Sequence, residues 1–469
     1  MLLIDFPDSE VEALGERVCD VLESVGMMFQ NEVILEALRK AGARVDFTTQ
    51  MVKFPRPMLT DFLDGVRREH SAEAVQASRF RDPGLPEVET QVAQYLWDYD
   101  QQERRPGRTA DLVEFVKLGD VLHGESGVGH CLLLSDVPPM LEPLEALLVM
   151  AECADRPRAA FAWNVRQADY LAEMGSVLGV DGAYTFGAVC IAHPLRFDRD
   201  VADRYVRMVR EGHQGGLTAM PVAGLTTPIT VEGFVVVSTA EQLGAWVAAR
   251  ALNPTTLLGG SIWAGTPDMR VGHVSFSSFD AMYYAFATES FTRRWCGVRI
   301  AVGGGEYSSA KRPGLYAALE KAYKAMMIAA FTGHHPGVGS GMLDTGKVLS
   351  DVQLLLEREL AGGLRHLCGS ISATEDNVAL DTIREVGIGE ALSYFQSDHT
   401  AARFRDSLWL PNFIDRTGWD GFEKEEQMLR RLREKSRALI AEHKKPEGRE
   451  DKLAAARAVL ERAKKDLLR

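Results

Sequence analysis

Nowhere does this chain of 469 residues approach the roughly 20 consecutive uncharged apolar residues of a membrane-spanning helix. Its start, MLLIDFPDSE, has no basic stretch followed by an apolar core, so no secretory leader is indicated and a cytoplasmic location is expected. Positive charge is also short: 53 Lys and Arg stand against 66 Asp and Glu, a formal net charge of -13. Such a balance repels nucleic acid and anionic membranes and suits a cationic or neutral substrate, or a basic partner surface. The six cysteines, Cys19, Cys131, Cys153, Cys190, Cys296 and Cys368, form no CxxC and no zinc-ligand spacing, which points to reduced, buried thiols.

Catalytic signatures are missing as well. The segment GGGEYSSAK at 303–311 lacks the Lys-Ser/Thr ending of a phosphate loop, and Gly337, Gly339 and Gly341 in GVGSG do not fit G-x-G-x-x-G. HExxH is absent, and His334-His335 are adjacent rather than four apart, so one helical face cannot present both to a metal. Ser340 lies in VGSGM without the strand-turn-helix elbow of a serine hydrolase. Nucleotide binding, a catalytic metal and a nucleophilic serine are therefore not expected.

What is present is a helix-and-apolar-run alternation from Thr109 onward, at the spacing of strand–helix units. Candidate strands are Val128 to Ser135, Arg158 to Trp163, Tyr184 to Ile191, Gly216 to Val222, Thr255 to Trp263, Val298 to Val302 and a glycine-rich one near Pro336 to Met342. Thr230 caps a helix from Val231 to Leu252, Asp280 opens another reaching Trp295, and Arg312-Pro-Gly opens one through Phe331. Seven such units without a dinucleotide fingerprint favour a (β/α)8 TIM barrel over an open doubly wound sheet, with the eighth strand unplaced. Residues 1–108, with helices near 8–26 and 33–40 and a hairpin in ARVDFTTQMVKFP, read as an N-terminal α+β cap. The barrel takes 109–419. Residues 420–469, rich in lysine, arginine and glutamate, read as a solvated C-terminal helical extension or a partner-docking surface.

At 298–314, VRIAVGGGEYSSAKRPG, an apolar strand ends in three glycines. Gly303, Gly304 and Gly305 remove every side chain at the strand's C-terminal end, which in a barrel is the catalytic face, so something bulky can approach the backbone. A plain turn is the competing interpretation.

Several stretches resemble the trimethylamine methyltransferase family, in particular its branch without pyrrolysine that includes glycine betaine methyltransferases. They are VLESVGMMFQNEVILEALRKAGARVD, DYDQQERRPG, VAGLTTPITVEGFVVVSTAEQLGAWVAARALNP, GGGEYSSAKRPGLYAALEKA, GSGMLDTGKVLSDVQLLLERE and ALDTIREVGIGEAL. The resemblance implies a TIM barrel that moves a methyl group from a methylated amine to cobalt(I) of a cobalamin (corrinoid) held by a separate, cognate corrinoid protein, and a homo-oligomer. The pyrrolysine position falls near Gly303 to Gly305, which turns the expected substrate from trimethylamine toward a small quaternary amine, glycine betaine first. Ser309-Ala310-Lys311 stands where the family has Asp-Ala-Lys.

On that basis the mechanism is in-line displacement by desolvation and alignment, with no catalytic acid, base or metal. Aromatic faces suit a quaternary ammonium, and Trp163, Phe186, Trp263 and Tyr307 near strand ends are the candidates, with Glu306 as counter-charge. For each aromatic, core packing is the competing role. A betaine carboxylate would take donors from Asn164, Lys311, Arg312, His334 or His335, the two histidines being equally suited to a solvated loop on the opposite face. Gly303, Gly304 and Gly305 would face the corrin. Two other functions stay open: a barrel lyase, for which Lys311 is the obvious amine, and a betaine-binding member without activity.

Overall fold

In a computed structural model the described residues are 4, 6–70, 84–303, 307–367, 372–388, 392–414 and 424–469. The fold is mixed α/β, dominated by helix, with several small sheets. Its central feature is a run of parallel neighbours. Ala93 pairs with Leu132, Val128 with Pro157, Ala160 and Phe161 with Tyr184 and Thr185, and Ser261 and Ile262 with both Thr218 and Ala219 and Ala301 and Val302. Thr218 N–H also donates to Val189 O at 2.9 Å, joining the two middle groups.

Eight helices alternate with these segments: Thr109–His123, Glu142–Cys153, Val165–Leu178, Arg199–Arg210, Val231–Leu252, Phe279–Cys296, Leu315–Thr332 and Asp351–His366. Local chemistry sets their starts. Thr230, Ser278 and Ser350 each accept a backbone N–H from three residues on, satisfying donors that the first helical turn leaves open. The helix expected over Val231 to Leu252 has those bounds.

One segment of this array comes from before Thr109, the expected start of the barrel. Residues 88–93, which the sequence places in the N-terminal section, lie against 129–133: Gly129 N–H donates to Val88 O at 2.8 Å and Ala93 N–H to Cys131 O at 2.9 Å. The chain continues into the hairpin Tyr95–Asp98 and Glu103–Pro106, whose first strand runs parallel to Val348–Leu349. Among the described residues no pairing joins 301–302 directly to 338–343 to trace a closed ring.

The N-terminal helices Asp8–Ser24 and Glu32–Lys40 pack on Val231–Leu252 around Val18, Leu22, Met27, Phe29 and Trp246, all shielded from solvent. Glycines let them close. A Cβ on Gly15 would run into the Trp295 indole, and one on Gly244 into Met27.

The C-terminal helices Lys424–Glu442 and Glu450–Leu467 correct an expectation. They are not a solvated pair: Leu429, Leu432, Leu453, Ala456, Val459, Leu460 and Ala463 join the main core, against the helices Val165–Leu178, Thr109–His123 and Asp351–His366. Their charges lie on the outer faces, as in Arg166–Asp466 at 3.0 Å. A strongly charged composition masked an apolar stripe at helical spacing. No helix of the described residues is long and apolar enough to cross a membrane.

Candidate active site at the strand ends

Side-chain alternation decides what faces the interior of the strand array. Ala160, Ala162, Ile262 and Ile300 are buried against the helices, so Phe161, Trp163, Ser261, Trp263 and Ala301 point to the other side. On that side Ala301, in the strand Ala301–Val302, and Gly187, two residues past the strand Tyr184–Thr185, are exposed.

Two aromatic walls stand there. Phe161 and Trp163 have ring centroids 4.5 Å apart, and Trp163 is 38% exposed. Trp263 and Tyr307 have centroids 4.7 Å apart. Each wall leans on a glycine of the next strand. A Cβ at Gly187 would come 2.9 Å from Phe161 Cδ2, and one at Gly303 2.6 Å from Trp263 Cγ. The volume beside Gly303 is thus filled by the Trp263 indole, not left vacant.

The walls differ in charge. Behind Trp163 sits Glu142, 1% exposed, whose carboxylate accepts from His130 Nε2 at 3.0 Å, Leu134 N at 3.1 Å and Trp163 Nε1 at 3.3 Å. His130 Nδ1 accepts the Phe161 backbone N–H at 3.3 Å, which leaves Nε2 to donate to Glu142. A similar pair follows: His193 Nδ1 donates to Glu241 at 2.8 Å while Nε2 accepts the Met220 N–H at 3.0 Å. The second wall carries a cation instead. Lys324 Nζ lies 5.5 Å from the Trp263 ring and 6.0 Å from Tyr307, and donates to Phe276 O at 2.9 Å.

Beneath Tyr307 the chain is pinned by its helix. Glu320 accepts the N–H groups of Ser309 and Ala310 at 2.7 and 3.1 Å, and the Ser309 hydroxyl meets Ser275 and Ser277 at 3.0 and 3.1 Å. Tyr323, whose hydroxyl donates to Ser277 O, is pushed up to about 12 by burial. Serine at 309 therefore serves a hydroxyl cluster.

The expected site residues separate. Trp163, Trp263 and Tyr307 stand at the strand ends. Asn164 adjoins Trp163 but caps the helix Val165–Leu178 through Gln167 N at 3.0 Å. Phe186 is 3% exposed and packs edge-on to Tyr184 in the core, so the packing role holds for it. Lys311 is exposed and clasps Asp344, which also holds Arg104 at 3.0 Å. Arg312 lines a small recess with Trp97, Tyr99, Glu425 and Glu426, outside the strand ends. His334 and His335 follow the helix Leu315–Thr332; His334 is exposed, whereas His335 is buried, and burial lowers its pKa. Gly304, Gly305 and Glu306 lie outside the described residues.

Sequence reasoning missed Phe161, Glu142, His130, His193, Glu241 and Lys324. Phe161 is two residues before Trp163 and was accessible by strand alternation. The others come from separate elements, and nothing in their local spacing marks them.

The geometry describes two aromatic walls at strand ends, one backed by a buried carboxylate and the other beside a lysine, without a nucleophile–base pair among the described residues. The family model for trimethylamine methyltransferase matches residues 4–467, and the chain belongs to that family of methyltransferases. It is similar to a trimethylamine methyltransferase of Desulfitobacterium hafniense, 24% identical over 86% of this chain and 82% of that protein. A glycine betaine methyltransferase of Desulfitobacterium hafniense strain Y51 is 23% identical over 89% and 88% of the two chains. A proline betaine:corrinoid methyltransferase of Eubacterium limosum is 22% identical over 87% and 86%.

Proposed function

We propose that this chain takes a methyl group from a small quaternary amine, glycine betaine being the leading candidate, and delivers it to a corrinoid held by a partner protein. We further propose that its eight strand–helix units close into a (β/α)8 barrel beginning at the 88–96 segment, with the site at the C-terminal ends of its strands.

The observation that carries the reading is the Phe161–Trp163 wall backed by the buried Glu142 carboxylate. A tetraalkylammonium has no N–H to donate, so it is held by aromatic faces and by nearby negative charge, each face contributing about 0.5–2 kcal/mol. The Trp263–Tyr307 wall is a poorer ammonium site, because Lys324 already stands beside it. A zwitterion gains from that asymmetry, with its ammonium toward Trp163 and its carboxylate toward Lys324.

A quaternary nitrogen leaves as a neutral amine when the N–CH3 bond breaks and keeps the bonding pair, so the chain needs no general acid. Its residues bind, align and exclude water. When bound, the corrinoid supplies the nucleophile that takes the methyl group. The residues fit its approach: Ala301 is exposed on the open side and offers little bulk against a large planar ring. Gly303 has a different part, making room for Trp263.

The test mixes the protein with cob(I)alamin and a panel of quaternary amines and follows the absorbance of cobalt(I). Formation of methylcobalamin with at least one betaine is expected; none with any quaternary amine refutes the proposal.

A further inference from the structure

We infer that Glu142, which cannot itself reach a ligand, is the positioning residue that makes Trp163 an ammonium-selective face. The inference rests on the quaternary-amine reading and adds to it the source of the charge.

Glu142 belongs to the helix Glu142–Cys153 and is shielded from solvent. Three N–H groups converge on it, and none belongs to a Lys or Arg. Leu134 donates from the backbone, Trp163 from its indole, and His130 from a ring whose other nitrogen already accepts the Phe161 N–H. No Lys or Arg nitrogen of the described residues forms an ion pair with Glu142; its one partner in that class is His130. All three contacts are donors, the set that an ionised carboxylate accepts, and no Lys or Arg of the described residues faces it.

That charge acts on one side chain in particular. The Trp163 Nε1–H donates to Glu142 Oε2 at 3.3 Å, which restrains the indole's rotation while the side chain stays partly exposed. A carboxylate accepting a hydrogen bond from the indole N–H also raises electron density in the ring, strengthening its hold on a cation. A cation on the exposed face would complete a charge balance that the chain leaves open.

The experiment compares two ligands of nearly equal shape, glycine betaine and 3,3-dimethylbutyrate, in which carbon replaces the quaternary nitrogen. Calorimetry on the wild type, on Glu142→Gln and on Glu142→Asp reads both dissociation constants. Glu142→Gln is expected to weaken betaine roughly thirtyfold, the equivalent of unit charges about 8 Å apart at an effective dielectric of about 20. The carbon isostere should change less than threefold, and Glu142→Asp should keep most betaine affinity. Equal weakening of both ligands would mean a merely structural role and overturn the inference, as would unchanged betaine affinity. If Glu142→Gln does not fold, Trp163→Phe, which removes the indole N–H, is read with the same ligands: loss of preference for betaine over the isostere supports the inference, retention overturns it. A wild type that binds neither betaine nor tetramethylammonium fails the functional reading itself, a result separate from these.

Discussion

Replacing Gly303 by alanine probes how the second aromatic wall is built. A methyl group there would lie 2.6 Å from Trp263 Cγ and 2.7 Å from Cε2, about 1 Å inside ordinary carbon–carbon contact. The backbone at Gly303 is not left-handed, so alanine brings no φ penalty and its cost is the collision alone. The indole has little freedom to withdraw. Its ring meets Tyr307 on one side, Lys324 stands 5.5 Å from its centroid, and Tyr307 in turn fills the space that glycine leaves at Gly346. Overpacking of this kind costs about 1–3 kcal/mol, a factor of roughly 5 to 150 in the folding equilibrium. Urea unfolding of the wild type, Gly303→Ala, Trp263→Ala and the double variant measures it as a cycle. In the Trp263→Ala background the alanine at 303 should cost under about 0.5 kcal/mol, since nothing remains to collide with. A Gly303→Ala protein as stable as wild type refutes the reasoning, and so does a full cost that persists without the indole.

Lys321 and Glu357 are both fully buried and paired, so Lys321→Met should destabilise by about 3–5 kcal/mol by stranding the carboxylate, with Lys321→Met/Glu357→Gln recovering part of it in the same unfolding assay. Burial raises the pKa of Glu289, so the folded chain holds that proton more tightly than the unfolded chain, and stability falls as pH rises through the interval above the ordinary carboxylate value. Glu289→Gln should accordingly gain more stability over wild type at pH 7 than at pH 4 in thermal melts, and a pH-independent difference would contradict this. Leu460→Ala, at a buried position of the last helix, should cost about 2–4 kcal/mol in urea unfolding, whereas a solvated helix would lose almost nothing.

By itself the sequence determined the alternation of helix and apolar run, because amphipathic period, capping residues and terminal glycines act within a few residues. Thr230 before Val231–Leu252 and Gly297 and Gly333 at helix ends are local signals with local causes. Its motifs also pointed to the family, and the aromatics Trp163, Trp263 and Tyr307 could be placed at strand ends from the same pattern. Tertiary structure alone decided what stands behind those aromatics. Glu142 reaches Trp163 from a helix 21 residues earlier, and Lys324 reaches Trp263 from one 61 residues later. It also took the charged C-terminal helices into the core and drew 88–93 into the central strands, since burial depends on which surfaces meet. A carboxylate's charge is legible in one dimension; whether a cation balances it depends on through-space distances that the order of residues does not contain.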